Sequence, residues 1–418
     1  MISKTTVVPK VKQLQFQDWE YGLFLHFGLR TFYEGYVDFD ERPMTPEAFM
    51  PTGLDCEQWI RSAKEAGMEY AVLTAKHHDG FSNWPSKYTK FSVAYSPWKD
   101  GQGDVVREFV EACRKYDVKP GLYYSPFDGS ADFYTQDAKA YDDYFVNQIT
   151  ELLGDYGDID ILWFDGCGSE GHEYDWPRII REIRRLQPNI LIFNIGDPDF
   201  RWIGNEDGIA PIPTWNVTDS IEWSILTDTE DELGGQLWLP AECDVQLRST
   251  WFYSDQNEDT LKSLDELMGL YYHSVGRGTN LLLNIGPDRD GLLPAIDVER
   301  IQEMGAEVRR RFGQPIADTS AFVEEKTGKW VYQTDTPHLI DHVVLQENLE
   351  QGERVRRFTV SIISKKTHKQ VQVYEGINMG HKAIIRIPSV YVRGVIIEVT
   401  ESEGTPMLRE ASLHYTGK

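Results

Sequence analysis

IDILWFDGCG, residues 159–168, reads as a buried strand that ends in an acid and a glycine. A run of Ile, Leu, Trp and Phe without polar alternation suits a parallel strand covered by helices on both faces. Six further runs have the same character: YGLFLHFG (21–28), EYAVLTAKH (69–77), KPGLYYSP (119–126), ILIFNIGD (190–197), QLWLPAECD (236–244) and TNLLLNIGPD (279–288). Amphipathic segments lie between and after them: DCEQWIRSAKEAG (55–67), DVVREFVEACRKYD (104–117), AKAYDDYFVNQITELLGDYG (138–157), DWPRIIREIRRLQ (175–187), TLKSLDELMGLYYHSVG (260–276) and IDVERIQEMGAEVRRRF (296–312). Their apolar residues recur at helical spacing, as in Phe109, Ala112, Cys113 and Tyr116. Asp175 before Trp176-Pro177 supplies an N-cap with Pro in the first turn.

Strands that alternate with helices across residues 21–312 predict an α/β fold, a (β/α)8 TIM-like barrel. No GxGxxG or P-loop follows the first strand, which leaves the open doubly wound sheet as the second choice. From about residue 316 the pattern becomes short alternating runs: KWVYQTD, HVVLQENL, RRFTVSIIS, QVQVYEG, KAIIRIP and YVRGVIIEVT. These predict a C-terminal antiparallel β-sandwich, so the expected domains are 1–315 and 316–418. No low-complexity linker divides them, and they are expected to pack together.

With 42 Lys+Arg against 67 Asp+Glu the net charge is −25, which repels nucleic acid and anionic membrane alike. No window approaches the ~20 apolar residues of a membrane span. The opening MISKTTVVPKVKQLQF lacks the apolar core of a secretory signal, so a soluble, cytoplasmic protein is expected. Cys56, Cys113, Cys167 and Cys243 show no ligand spacing, which argues against a structural zinc or a disulfide frame. The oligomeric state stays open. The 12 Trp and 21 Tyr suit sugar faces as well as a core.

In a barrel, catalytic groups gather at the carboxyl ends of the strands. His26, Lys76-His77-His78-Asp79, Tyr123-Tyr124, Asp165, Asn194, Glu242, Asp244, Asn284 and Asp288 all fall there. Any one of them could simply end a strand or cap a helix; their convergence on one rim is the signal. Adjacent histidines on a strand point to opposite faces, so His77 and His78 reach one pocket only if the strand ends and turns at DGF. No carboxylate cluster completes a metal shell and no GxSxG elbow occurs, so hydrogen bonding to hydroxyls is expected in place of metal ligation, and no serine nucleophile. Carboxylates among aromatics are the equipment of glycoside hydrolysis.

LFLHFG, VLTAKHHDGFSNWPSKYTKFSV, DILWFDG, WLPAECDVQLRSTWFY and SVGRGTNLLLNIGPDRDGLLP resemble the α-L-fucosidases of glycoside hydrolase family 29. The resemblance covers nearly all of residues 15–315, and the tail resembles the β-sandwich of that family. It implies an exo-acting, retaining enzyme without cofactor, which removes terminal α-L-fucose from fucosylated oligosaccharides. Asp165 matches the nucleophile. His26, His77 and His78 match residues that hold fucose hydroxyls, joined by Tyr124 and Trp163, with Trp84 lining the same pocket and Arg248 a further sugar contact. The run LRSTWFY departs from the IRPGWFY of one branch, which bears on the loop around Arg248. For the acid/base two residues stand. Glu206 in RWIGNE resembles the branch acting on α-1,3/1,4-linked fucose, and Glu242 in PAECDV is placed by geometry at a strand end. Glu206 is preferred, with Glu242 a supporting or aglycone contact. Glu34 or Asp38 could contact fucose. Two other readings are a glycan-binding protein without turnover and a glycosidase for a related sugar such as galactose; a metal-dependent hydrolase ranks third.

Overall fold

The computed structural model describes residues 7–37, 39–40, 42–224 and 230–417. Eight parallel strands form the first sheet: β1 (Tyr21–Leu25), β2 (Tyr70–Lys76), β3 (Lys119–Tyr124), β4 (Ile161–Phe164), β5 (Leu191–Phe193), β6 (Arg201–Trp202), β7 (Ala241–Gln246) and β8 (Asn280–Ile285). They are ordered β5-β4-β3-β2-β1-β8-β7-β6. The two ends meet where Phe193 bridges Phe200 in parallel and the Asn194 N–H donates to the Phe200 carbonyl at 2.9 Å. The sheet is a nearly closed barrel.

Helices Cys56–Ala66, Val105–Tyr116, Ala138–Gly154 and Trp176–Leu186 follow β1 to β4. Each begins on an aspartate whose side chain accepts the N–H three residues on: Asp55, Asp104, Asp137 and Asp175. Leu264–His273 follows β7 and Ala295–Phe312 follows β8. Among the described residues β5 and β6 carry no crossover helix. Residues 194–200 join them directly, and a hairpin of Val217–Glu222 and Glu230–Trp238 occupies the β6–β7 connection. This corrects the single expected strand at 236–244: its first part ends the hairpin, and a barrel strand begins after Pro240.

Alternation along the strands divides the apolar residues between two cores. One lies between barrel and helices; the other fills the barrel, with Phe24, Tyr70, Tyr123, Trp163, Phe193 and Leu282. Phe16, from the helix Val11–Asp18, plugs the deep end of the inner core.

The C-terminal part is a six-stranded antiparallel sheet of Phe322–Lys326, Lys329–Glu347, Val355–Ser364, Gln370–Gly376, Ala383–Ser402 and Leu408–His414. The runs KWVYQTD and HVVLQENL fuse into one long strand, as do KAIIRIP and YVRGVIIEVT. Register shifts at Gln333/His338 and Ile340/His342 bend the first of them, so Trp330 and Val343 from its two halves meet in one core. The sheet is joined to the barrel side by polar contacts. Glu353 accepts from Asn216 N and Nδ2 at 3.0 and 2.7 Å, and the Ile384 N–H donates to Gly276 O at 3.1 Å.

Candidate active site

The carboxyl ends of the barrel strands enclose a cavity of about 410 Å³, within the range of small-ligand pockets. Period-two alternation decides which residues reach it. Trp163 of β4 and Asp165 just past its end line the cavity, while Phe164 between them lies in the outer core. Tyr123 of β3 faces in and Tyr124 faces out. β2 stops at Lys76, and the turn that follows brings both His77 and His78 to the cavity. His26, Asn194, Trp202, Glu206, Asp244 and Trp251 complete most of the wall.

Asp165 is held by three groups. Tyr123 donates its hydroxyl to Oδ2 at 2.8 Å, the Cys167 N–H donates to Oδ1 at 2.9 Å, and His78 Nε2 stands 3.4 Å from Oδ2. Burial pushes the carboxyl up, but His78 and these hydrogen bonds outweigh it and keep Asp165 below its ordinary value. Ser125 gives its own proton to the Phe127 carbonyl at 2.8 Å, so His78 Nδ1, 2.7 Å from Ser125 Oγ, must be the donor there. Its pairing with Asp165 through Nε2 therefore calls for the imidazolium.

The other two histidines are complementary. Arg30 Nη1 lies 3.0 Å from His77 Nδ1; because arginine only donates, Nδ1 accepts and the ring proton sits on Nε2. His26 Nδ1 lies 2.7 Å from Asn284 Oδ1 while Asn284 Nδ2 donates to Trp251 O at 2.8 Å. Asn284 thus presents an acceptor, His26 carries its proton on Nδ1, and Nε2 keeps a lone pair. Burial pushes His26 down to about 3 and His77 well below its usual range, so both are neutral near pH 7. One neutral ring offers a donor and the other an acceptor, which suits sugar hydroxyls.

Trp163 stacks between Phe193 at 3.9 Å and Tyr123 at 5.4 Å. Its Nε1 donates to Glu242 Oε1 at 2.9 Å, and Tyr70 OH donates to Oε2 at 2.6 Å. Burial raises Glu242 to about 7. One layer nearer the mouth, Asp244 Oδ1 accepts from Trp202 Nε1 at 2.8 Å. Burial and the charge of Glu206 push Asp244 well above the carboxylate range.

Asp165, Glu206, His26, His77, His78 and Trp163 thus converge on one cavity. Four other sequence-based sites do not line it. Trp84 is buried in the outer core, its Nε1 on Glu151 at 2.9 Å, because SNW turns it back beneath the helices. Tyr124 faces outward by strand parity, and its OH meets Gln148 at 2.8 Å. Glu242 opens β7 rather than ending it and lies under Trp163. Arg248 is taken up by Asp297 at 2.8 Å. The Glu34 carboxylate meets Arg289 and Ser254, and Asp38 lies outside the described residues. Tyr123 was findable from register, since it pairs with Trp163. Trp223 and Phe39, brought in by loops, carry no periodic signal. His77, His78 and Asp165 could present atoms to a metal ion, with ligand atoms within 4.8 Å of one another, although each is already hydrogen-bonded as described.

A parallel barrel with carboxylates and aromatics gathered at its strand ends defines a glycoside hydrolase site. The family model for α-L-fucosidase matches residues 33–311, and the chain belongs to that family. It is 32% identical to α-L-fucosidase 1 of Arabidopsis thaliana over 97% of this chain and 87% of that protein. Against tissue α-L-fucosidase of Rattus norvegicus it is 28% identical over 65% of this chain and 56% of that one. A glycoside hydrolase family 29 member from a rumen bacterium superposes with TM-score 0.89 at 33% identity, over 99% of this chain and 78% of that one. A Ruminococcus gnavus family 29 fucosidase in complex with fucose gives 0.85 at 26% identity, over 98% and 95%.

Proposed function

We propose that this α-L-fucosidase is a retaining exo-enzyme that releases terminal fucose in α-1,3/1,4 linkage from branched oligosaccharides. One observation carries the reading: a single cavity holds Asp165, whose carboxyl His78 and its hydrogen bonds keep below the ordinary value, together with a second acidic group, Glu206 beside the raised carboxyl of Asp244. Asp165 attacks the anomeric carbon and forms a fucosyl ester as the glycosidic bond breaks. Glu206 gives a proton to the leaving oxygen, then takes one from the water that opens the ester. His26 and His77 bind hydroxyls as acceptor and donor, and Trp163 supplies the apolar floor. The resemblance of RWIGNE to the α-1,3/1,4-specific branch supports the linkage. The raised Asp244 carboxyl favours a second reading, in which Asp244 supplies the proton and the negative charge of Glu206 favours its protonated form.

The test is hydrolysis of an activated aryl α-L-fucoside and of a Lewis-type trisaccharide by wild type, Asp165→Ala, Glu206→Ala, Asp244→Asn and Glu242→Ala, each with and without azide. Asp165→Ala should be inactive on both substrates. Glu206→Ala should keep the activated substrate and lose about a hundred- to ten-thousandfold on the trisaccharide. If Asp244→Asn alone shows that selective loss, the donor is Asp244. NMR of the first-formed sugar should show the α-anomer, and the β-anomer would exclude retention.

A further inference from the structure

Glu206 borders two cavities. Besides the catalytic one it lines a groove of about 480 Å³ that also meets Lys262 and His273. That groove shares Gly269 and His273 with a third cavity, about 310 Å³, between the barrel and the C-terminal sheet. The helix Leu264–His273 runs along the route; its 10 residues, at 1.5 Å each, span about 15 Å, the length of a short oligosaccharide.

The far cavity has an unusual lining for this chain. Arg277, Lys382, Arg386 and His273 surround it, and among the described residues no carboxylate lines it, although acids outnumber bases 67 to 42 in the sequence. Lys382 is occupied by Glu20. The Arg277 guanidinium donates to the carbonyl of Ala210, and among the described residues no carboxylate forms an ion pair with it. Arg386 is an exposed residue on the same wall, between the buried Ile385 and Ile387. Tyr272, Tyr374 and Ile212 form apolar walls of the kind that cover a sugar face. The guanidinium of an arginine presents its donors in a fork that matches a carboxylate or a sulfate.

We infer that the aglycone runs from Glu206 along the Leu264–His273 helix to the interdomain cavity, where Arg277 and Arg386 hold a carboxylated or sulfated sugar. The inference rests on the reading of Glu206 as the residue on the leaving-group side. It makes the natural substrate an extended acidic glycan, with the negative charge several sugars from the fucose.

The experiment measures kcat/KM for fucosylated substrates that share one core: the trisaccharide, a neutral extension, an extension ending in a carboxylated sugar, and one ending in a sulfated sugar. Each value is divided by that of the trisaccharide for the same protein, so a general loss of folding cancels. In wild type the acidic extensions should gain about tenfold over the trisaccharide, with the neutral one gaining less. Arg386→Glu and Arg277→Gln should each remove the acidic gain. A gain with either acid supports the site and identifies which anion it takes. Equal ratios for neutral and acidic extensions in wild type, or a gain that survives both substitutions, overturn it. An aryl fucoside run in parallel separates the two levels: wild type that releases fucose from neither the aryl fucoside nor the trisaccharide would sink the catalytic reading itself.

Discussion

Trp84 and Trp163 each give an indole N–H to a glutamate, yet only Trp163 lines the cavity. Trp84 fills the outer core, so Trp84→Ala should lower unfolding free energy by about 3–5 kcal/mol and leave KM for an aryl fucoside unchanged at a temperature where the variant is folded. Urea titration and steady-state kinetics together check this; a raised KM would return Trp84 to the site. Glu242→Leu should instead change both stability and KM. Two buried donors, Tyr70 OH and Trp163 Nε1, lose their acceptor, at about 1–3 kcal/mol each, and the unanchored Trp163 should raise KM. At this scale the sequence showed the acids and histidines because strand ends are polar by necessity only when they work or cap. It misassigned Tyr124 because two adjacent tyrosines share one signal, and only the register with Trp163 tells which faces inward.

The β6–β7 hairpin replaces a helix and reaches the site. Gly166, directly after Asp165, has no room for a side chain: an added Cβ would stand 2.0 Å from the Trp223 carbonyl oxygen. Gly166→Ala should therefore push Trp223 and its neighbours off the cavity, at about 1–3 kcal/mol of overpacking. The expected result is a KM for the trisaccharide raised by roughly tenfold or more, with secondary structure by circular dichroism intact; unchanged kinetics would show that the hairpin end plays no part in binding. The six main helices were legible because each carries an apolar stripe, and four open on a capping aspartate. β6 was not, since two residues hold no period. The QLWLPAECD run was misleading because apolar residues continue across Pro240, where one element stops and another starts. Likewise TDTP (334–337) reads as a loop, whereas the chain bends there within one strand.

Across the whole molecule, the barrel and the C-terminal sheet meet at a buried carboxyl. Burial, with the nearby charge of Glu347, raises Glu353 from an ordinary 4.5 to about 7 against the pull of Asn216. The folded state therefore holds this proton more tightly than the unfolded chain does. Its contribution is full below about pH 4.5 and is lost as pH rises through 7, an effect on the order of 3 kcal/mol. Glu353→Gln removes this dependence and leaves the other titrating groups in place. The stability of wild type minus that of the variant should shrink steadily from pH 5 to pH 8 in thermal melts; a difference independent of pH would mean that Glu353 is ionised throughout. The change from a parallel barrel to an antiparallel sheet was visible in the change from helical to alternating periodicity. The contact that couples them was not, because Asn216 and Glu353 lie 137 residues apart on segments with no pattern of their own.

The barrel's closure has a consequence for how it breathes. Every other pair of neighbouring strands is joined by a ladder, but β5 and β6 meet through one bridge and a few hydrogen bonds around Phe193 and Phe200. Asp165 extends from β4, inside the laddered part, whereas Trp202 and Glu206 hang from the strand beside the gap. In native-state amide exchange the gap should open at lower free energy than the ladder around β4. The two halves of the proposed catalytic pair would then differ in stiffness: an anvil fixed under the sugar, and a jaw that yields to leaving groups of different bulk.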